Sequence, residues 1–267
     1  MILSPIRINW SQYTIKKNIF SMKNHVTKTM RTFAIGDIHG KYRAFCDVLE
    51  KAHFDNEEDV LIFLGDMFDN YTGHFVKCVD RFIEIKKRVW IRGNHDQFVL
   101  KWFRGEWRGD DHIWLSQGGN MTKKDYLDEE GNLLVDVVKK HHEELEKSVL
   151  YHIDPRGNLY VHGGIDWSLP IDEQDEETYF WDRDTFLIEA PRHAKNGTKF
   201  PYRAVFIGHT PTNLTGYGYD PVNLANLWNL NTGSTLTIMD VDTFEYWQSG
   251  LPEIEGKSIL TRLYEHF

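Results

Sequence analysis

The fold is decided by one stretch, Thr32-Phe33-Ala34-Ile35-Gly36-Asp37-Ile38-His39-Gly40. A short apolar run that ends in a glycine-bearing polar turn is typical of a β-strand followed by a loop. The turn holds Asp37 and His39, whose oxygen and imidazole groups are common metal ligands. The stretch therefore predicts a strand with chemically useful side chains directly after its last residue.

The same arrangement occurs four more times along the chain. Apolar runs lead into polar turns at residues 65–70, 92–96, 162–164 and 208–210. Between the first runs, residues 42–52 and 75–86 have apolar positions three and four residues apart, which is the period of a helix. This alternation favours an α/β core whose functional residues lie on loops at the carboxyl ends of the strands.

The chain of 267 residues is predicted to form one layered domain with additions at both ends. Residues 1–31 make a basic N-terminal extension, which we interpret as a loose segment, with an organellar transit peptide as the alternative. Residues 32–250 form the domain, in which residues 97–157 are a long, mostly helical insert, and residues 251–267 are a C-terminal tail. Apolar runs near the end of the domain predict closely spaced strands that complete the fold.

Charge and hydropathy exclude several classes of partner. Residues 1–36 hold six of the 31 basic residues and no acidic one, so the remaining 25 basic residues face 40 acidic residues, a net charge of about −15 for the body. Because nucleic-acid binding relies mostly on Lys and Arg, we expect no nucleic-acid partner. No apolar run reaches the roughly 18 residues of a membrane span. Cys46 and Cys78 provide neither a disulfide framework nor a thiolate metal site, which fits a reducing compartment. We therefore expect a cytoplasmic protein without a membrane partner.

Each polar turn, taken alone, has a structural explanation as a capping aspartate or a surface loop. Five such turns in order, each supplying oxygen or imidazole ligands after an apolar run, favour one shared metal site instead. Two metal ions about 3.5–4 Å apart can activate a water molecule and neutralise a phosphoryl group. Asp66 is the candidate to bridge the ions, and the other predicted ligands are Asp37 and His39 for one ion and Asn94, His162 and His209 for the other. A set without thiolates suits manganese, with iron or zinc as alternatives.

The five turns resemble those of the phosphoprotein phosphatase family of calcineurin-like metallophosphoesterases, over about residues 32–233. Residues 114–119, Trp-Leu-Ser-Gln-Gly-Gly, together with Tyr126 resemble a segment of the bacterial and phage-type serine/threonine protein phosphatases. The resemblance implies a β-sandwich of two mixed sheets flanked by helices, with a dimetal site on loops at the strand ends. It also implies that a metal-bridging hydroxide attacks the phosphorus, that His95 protonates the leaving oxygen and that Asp69 orients His95.

Arginine contacts to the substrate phosphate are predicted at two positions, and Asn94 is expected to assist them. Residues 181–183, Trp-Asp-Arg, resemble the family's Trp-x-Arg segment, whose arginine binds the phosphate. Arg183 fits a surface residue paired with a neighbouring aspartate equally well. Arg92 is the second candidate, although its position beside Asn94 also fits a structural ion pair.

The substrate class is less clearly indicated, because the chain departs from the family pattern. Asn70 stands where the protein phosphatases usually have arginine, Asp96 where eukaryotic-type members have glutamate, and Asn231 where an aspartate is usual. The last turn, Gly208-His209-Thr210, lacks the second histidine of the nuclease branches. We predict hydrolysis of phosphoserine or phosphothreonine in proteins. The alternatives are hydrolysis of a dinucleoside polyphosphate or other small phosphate ester, and a catalytically silent adaptor that binds phosphoproteins.

Histidines outside the five turns lack neighbours of the ligand type. His141 and His142 lie among lysines and glutamates, which predicts an exposed helix. Most of the nine tryptophans are predicted to pack in the core or in the insert. We expect neither group to contribute to the metal site.

Overall fold

Two five-stranded sheets form the centre of the computed structural model, which describes residues 30–69, 73–107 and 111–250. The strands are β1 (Thr32–Ile35), β2 (Val60–Phe63), β3 (Lys87–Trp90), β4 (Tyr151–Ile153), β5 (Leu159–Val161), β6 (Val205–Ile207), β7 (Val222–Leu224), β8 (Leu227–Asn229), β9 (Thr237–Asp240) and β10 (Tyr246–Gln248). The first sheet has the order β10-β9-β1-β2-β3, and the second has the order β4-β5-β6-β8-β7. Both sheets are mixed, because β1, β2 and β3 are parallel, as are β5, β6 and β8, while the remaining strands are antiparallel to their neighbours.

Helices flank the two sheets. They are α1 (Tyr42–Lys51), α2 (Phe75–Ile83), α3 (Asn94–Phe103), α4 (His112–Trp114), α5 (Asn120–Asp125), α6 (Val135–Leu145), α7 (Glu176–Trp181) and α8 (Ala190–Asn196). Single turns of π-helix, at Leu115–Gly119 and Thr185–Glu189, and of 3-10 helix, at Ile171–Glu173 and Thr212–Leu214, connect or extend them. The predicted α/β fold of two mixed sheets flanked by helices is confirmed.

The core lies between the sheets and under the helices on each outer side. All four residues of β1 are buried, because both faces of the strand are covered. Phe33 and Ile35 pack in the layer under the helices, whereas Ala34 packs between the sheets with Ile62 and Phe206. Burying each large apolar side chain stabilises the fold by about 1.5–3 kcal/mol. The strands are therefore held firmly, and they fix the positions of the loops that follow them.

The insert, residues 97–157, begins one turn into α3, after His95, and includes α4 to α6. Its helical part ends at Leu145, and Tyr151–Ile153, placed in the predicted insert, pairs with β5 as an edge strand. The prediction that His141 is exposed is wrong, since its side chain is fully buried. His141, Glu144 and Leu145 are three and four residues apart, so they share the face of α6 that packs inward.

Three predictions concern residues outside the described part of the chain. The N-terminal extension, apart from residues 30 and 31, and the tail at 251–267 lie there, as does Asn70. No helix among the described residues is long and apolar enough to cross a bilayer.

Candidate metal centre

The predicted metal ligands all follow strand ends. Asp37 and His39 come after β1, Asp66 after β2, and Asn94 begins α3 shortly after β3. The second sheet supplies the remaining two, His162 after β5 and His209 after β6. Because the strands that precede these residues are parallel within each sheet, their carboxyl ends meet at one edge of the sandwich.

The ligand atoms form two groups that share one carboxylate. Asp37, His39 and Asp66 place their ligand atoms within 4.8 Å of one another, and Asp66, His162 and His209 do the same. His39 Nε2 lies 3.8 Å from Asp66 Oδ2, and His162 Nε2 lies 3.3 Å from the same oxygen. Asp66 therefore occupies the position that a bridging ligand requires. The structure brings all six predicted ligands together, since Asn94 Oδ1 lies 3.1 Å from His162 Nε2.

The backbone holds these loops in unusual conformations. His39, Asp66, Asp69 and His209 have φ between 46° and 63°, in the left-handed region that residues with side chains rarely adopt. Such conformations cost of order 1–3 kcal/mol each and persist only where the surroundings enforce them. At Gly208 a Cβ atom would lie 2.3 Å from Asp37 Oδ1, so glycine is needed for the strand end to approach the carboxylate.

Hydrogen bonds behind the ligands set their tautomers and orientations. His39 Nδ1 lies 2.7 Å from the Phe68 carbonyl oxygen, and His162 Nδ1 lies 2.7 Å from the Leu64 carbonyl oxygen. A carbonyl only accepts, so both rings carry a proton on Nδ1 and turn Nε2 toward the site, the orientation that metal-binding histidines have. Asn231 Nδ2 donates to Asp37 Oδ2 at 2.6 Å, which orients that carboxylate.

His209 provides a direct test of whether the site fits a metal ion. Its Nε2 is buried and has no hydrogen-bond partner among the described residues. A buried polar atom without a partner destabilises the fold by about 1–3 kcal/mol. A cation bound to the lone pair of Nε2 would remove that cost. With carboxylate oxygens and imidazole nitrogens around it, the donor set suits manganese, iron or zinc.

Burial shifts the acid–base equilibria of the site. Burial lowers the pKa of His39 to about 4 and that of His209 to about 2, so both rings are neutral and free to bind a cation. Burial also raises the pKa of Asp37 to about 7. A carboxyl that resists ionisation in this way becomes a carboxylate readily once a cation lies beside it.

His95 and Asp69 form a second pair beside the ligands, with the His95 ring centroid 5.1 Å from that of His39. Asp69 Oδ2 accepts a hydrogen bond from His95 Nδ1 at 2.8 Å, and the Asp69 side chain is fully buried. Although burial lowers the pKa of His95, the charges of Asp66 and Asp69 outweigh that effect and raise it to about 8. His95 therefore holds a proton at neutral pH, with Nδ1 committed to Asp69.

The cleft above the ligands has a volume of about 490 Å³ and is lined by both polar and apolar residues. Arg183 lines it, and its Nη1 donates to Thr210 Oγ1 at 3.1 Å. Arg92 is not among the described residues that line the cleft, because its guanidinium donates to the side chain and the carbonyl oxygen of Ser148 at 2.8 and 3.1 Å. The geometry thus favours Arg183 over Arg92 as the candidate phosphate contact. Arg92 instead connects the segment after β3 to Ser148 of the insert by hydrogen bonds.

Sequence reasoning missed the residues that support the ligands. Asp96, whose identity in the sequence bears only on the substrate class, is fully buried beneath the Asp66 loop. It accepts hydrogen bonds from the main-chain nitrogens of Asp66, Met67 and Gly93 at 2.9, 2.8 and 3.0 Å, and from Trp90 Nε1 at 2.9 Å. Its position three residues after Gly93, at the start of α3, is the local signal for a capping role.

A two-sheet α/β fold with aspartate, asparagine and histidine ligands on its strand ends defines a metal-dependent phosphoesterase. The model of one protein family, described as calcineurin-like phosphoesterase, matches residues 30–240. The chain therefore belongs to the calcineurin-like phosphoesterase family. Its members typically bind two divalent metal ions and act on phosphate esters, in agreement with the two ligand groups described above. The prediction of a metal-dependent phosphoesterase is confirmed at this level.

Individual relatives divide between two activities. The chain is 29% identical to serine/threonine-protein phosphatase 2 of Escherichia coli over 140 residues, which is 49% of this chain and 62% of the relative. It is 40% identical to a symmetrical bis(5'-nucleosyl)-tetraphosphatase of Buchnera aphidicola over 68 residues, 25% of this chain and 24% of the relative. Both matches therefore span less than two thirds of the relative's length.

One solved structure has a similar fold. The crystal structure of a candidate diadenosine tetraphosphatase superposes with a TM-score of 0.61 at 16% identity, covering 85% of this chain and 96% of the other. At that identity the likeness concerns the fold alone. The comparisons establish the family and leave the substrate to be argued from the site.

Proposed function

We propose that the chain is a two-metal phosphomonoesterase that hydrolyses phosphoserine or phosphothreonine in proteins. The observation that carries the proposal is the buried Asp69–His95 pair, joined at 2.8 Å, on a cleft whose described wall has Arg183 as its one arginine or lysine. A serine or threonine alkoxide is a poor leaving group and needs a proton as it departs. The cleft thus offers one proton donor and one guanidinium, which matches a single phosphate on an alkyl oxygen.

The metal ions would be held by the two groups that share Asp66. Asp37 and His39 complete one set of ligands, and Asn94, His162 and His209 complete the other. Bound there, divalent ions supply an activated water and neutralise charge on the phosphoryl oxygens. Manganese is the proposed metal, with iron or zinc as alternatives, because the donor atoms are oxygen and imidazole nitrogen.

The protein's own side chains have separate tasks in this proposal. Arg183 and Asn94 hold the phosphate, and a charge-assisted contact from the guanidinium contributes more than a neutral one. His95 gives the proton on Nε2 to the departing oxygen. Asp69 keeps the ring in the orientation that allows this transfer, because its carboxylate fixes Nδ1. The donor must start protonated, and the raised pKa of His95 supports that.

The second candidate substrate is a dinucleoside polyphosphate. It is favoured by the 40% identity to a tetraphosphatase over 68 residues. Two physical arguments place it second. Its leaving group is a nucleotide phosphate, which is stable as an anion and gains little from a proton donor. Its several phosphates also need several cations, whereas the described wall of the cleft offers one arginine in a body that carries about 15 negative charges in excess.

Turnover of a phosphoserine peptide beside a dinucleoside tetraphosphate, both with Mn²⁺, tests the proposal. We expect wild-type protein to release phosphate from the peptide with the larger kcat/KM. Asp66→Asn should lose both metal and activity, while His95→Asn should keep the metal and lose about 10²–10⁴-fold in kcat. His142→Asn, a histidine of the insert, is the matched control and should retain both.

Three results would contradict the proposal. A larger kcat/KM for the tetraphosphate would establish the second candidate. Absence of turnover with any divalent metal, in a protein that still binds the phosphopeptide, would establish an adaptor. Full activity of His95→Asn on the peptide would remove His95 from the chemistry.

A further inference from the structure

Asp69 accepts hydrogen bonds from three side chains, and two of them come from the insert. His95 Nδ1 and Trp114 Nε1 both donate to Oδ2, at 2.8 and 2.7 Å. Thr122 Oγ1 donates to Oδ1 at 2.5 Å and accepts a hydrogen bond from the Asp69 main-chain nitrogen at 3.1 Å. Both carboxylate oxygens and the nitrogen of one residue are thus fixed by a segment 45–53 residues away in the sequence.

The local conformation of the insert is shaped to bring the Trp114 indole to Asp69. Gly118 has φ of 108° and kinks the turn Leu115–Gly119. At Gly119 a Cβ atom would lie 2.6 Å from the indole nitrogen, so any side chain there would displace the ring. Trp107 stacks on Trp114, with ring centroids 5.7 Å apart and planes inclined by 10°. Trp114 is fully buried and has little freedom to turn away.

These contacts bear on His95 through the geometry of Asp69. The torsion that rotates a carboxylate about its last bond is broad and twofold, so an aspartate alone does not hold its oxygens at fixed positions. The backbone of Asp69 is itself strained, because its φ is 61°. Three donors on two oxygens leave one orientation of the carboxylate, and that orientation presents Oδ2 to His95 Nδ1.

We propose that Trp114 and Thr122 are positioning residues of the reaction, which lock the Asp69 carboxylate so that His95 can deliver its proton to the leaving group. This rests on the proposed function, in which His95 is the proton donor. The insert thereby becomes part of the reaction machinery without touching the substrate through these two side chains. Its segment 112–125 takes the role that a second hydrogen-bond layer has in other preorganised sites.

The test is the dependence of the rate on the leaving group, measured with Thr122→Val and Thr122→Ser. Valine keeps the shape of the threonine side chain but lacks its hydroxyl group, whereas serine keeps the hydroxyl group. A proton donor matters for phenyl phosphate, whose leaving group is basic, and much less for p-nitrophenyl phosphate. We expect Thr122→Val to lose about tenfold more kcat on phenyl phosphate than on p-nitrophenyl phosphate, as part of the 10²–10⁴-fold that a general acid contributes. Thr122→Ser should recover most of that difference.

Two further variants separate positioning from general destabilisation. Thr32→Val removes a buried threonine hydroxyl that accepts a hydrogen bond from Arg156, at the start of β1, away from the site. It should lower both rates equally or not at all. Trp114→Phe, which removes the indole N–H, should show the same bias toward loss on phenyl phosphate as Thr122→Val.

Equal losses of Thr122→Val on the two substrates would overturn the inference, as would a serine variant with the same bias as valine. Failure of the proposed function has a different signature. In that case wild-type protein hydrolyses neither ester, or His95→Asn shows no bias between them. Either of these results removes the proton donor and the positioning role together.

Discussion

Replacing Gly93 with alanine tests how rigidly the loops hold the bridging carboxylate. An added Cβ at Gly93 would lie 2.2 Å from Asp66 Oδ1 and 2.7 Å from the Asp66 main-chain nitrogen. Gly93 has φ of −95°, which alanine adopts freely, so the perturbation is purely steric. Ordinary contact begins at 3.4 Å, and Asp66 must therefore move by about 1 Å in a close-packed surrounding.

The size of the effect follows from that displacement. A misplacement of about 1 Å in a reacting geometry can cost on the order of 10² in rate. Overpacking adds about 1–3 kcal/mol of destabilisation, and each kcal/mol corresponds to about 2–4 °C in Tm for a domain of this size. We expect Gly93→Ala to lose bound divalent metal on gel filtration and to lower kcat about hundredfold, with a modest fall in Tm.

Metal content by mass spectrometry, kcat on p-nitrophenyl phosphate and Tm are measured on the same preparation. Gly250→Ala is the control, because an added Cβ meets no atom within 4 Å at that position. Wild-type metal content and kcat in Gly93→Ala would refute the reasoning. Asp66 would then be mobile enough to accommodate a methyl group, and the loop would not be the rigid support that the contacts indicate.

Three other predictions concern the cleft, the metal and the proton donor. Arg183→Ala should raise KM for a phosphopeptide by about 10-fold or more, because it loses a charge-assisted hydrogen bond of about 1.5–3 kcal/mol. Arg92→Ala, the control, should lower Tm more than it changes KM. An unchanged KM in Arg183→Ala would contradict this prediction. Chelation should lower Tm reversibly, because ions at 100 times their Kd stabilise the folded state by about 2.7 kcal/mol, and calorimetry with and without Mn²⁺ checks it. Activity should fall as pH rises through about 8, since His95 must hold its proton and its pKa is raised to about 8. A pH–rate profile without that alkaline loss would contradict the assignment.

The convergence of the strand-end side chains could be predicted because their signal is local. A buried parallel strand reads as a short apolar run, and the next few residues must lie at its carboxyl end. Asp37, Asp66 and His162 each follow such a run directly, so their convergence at one edge follows from the parallel pairing of the strands. The same reasoning placed His209, whose strand β6 lies beside β5.

The support behind the ligands could not be predicted, because it depends on tertiary contacts. Thr122 looks like an ordinary polar residue of a short helix, and its bond to Asp69 spans 53 positions. His141 looks exposed among charged neighbours, yet its ring bonds to the Tyr126 hydroxyl at 2.8 Å inside the insert. Strand β4 has three residues, too few for a period to distinguish it from the end of the insert.

The candidate ligands and the rest of the cleft wall come from different segments of the chain, and this separation bears on substrate choice. The candidate metal ligands lie on loops at the carboxyl ends of strands in the two sheets. The rest of the described cleft wall is supplied by other segments, among them Gln117 of the insert, Trp181 at the end of α7 and Leu214 after β6. Trp181 and Leu214 are 38% and 78% exposed, so they are available to a leaving group. Substrate choice is therefore expected to change with these residues while Asp37, Asp66 and their neighbours stay the same, and exchanging the wall is the route to exchanging the activity.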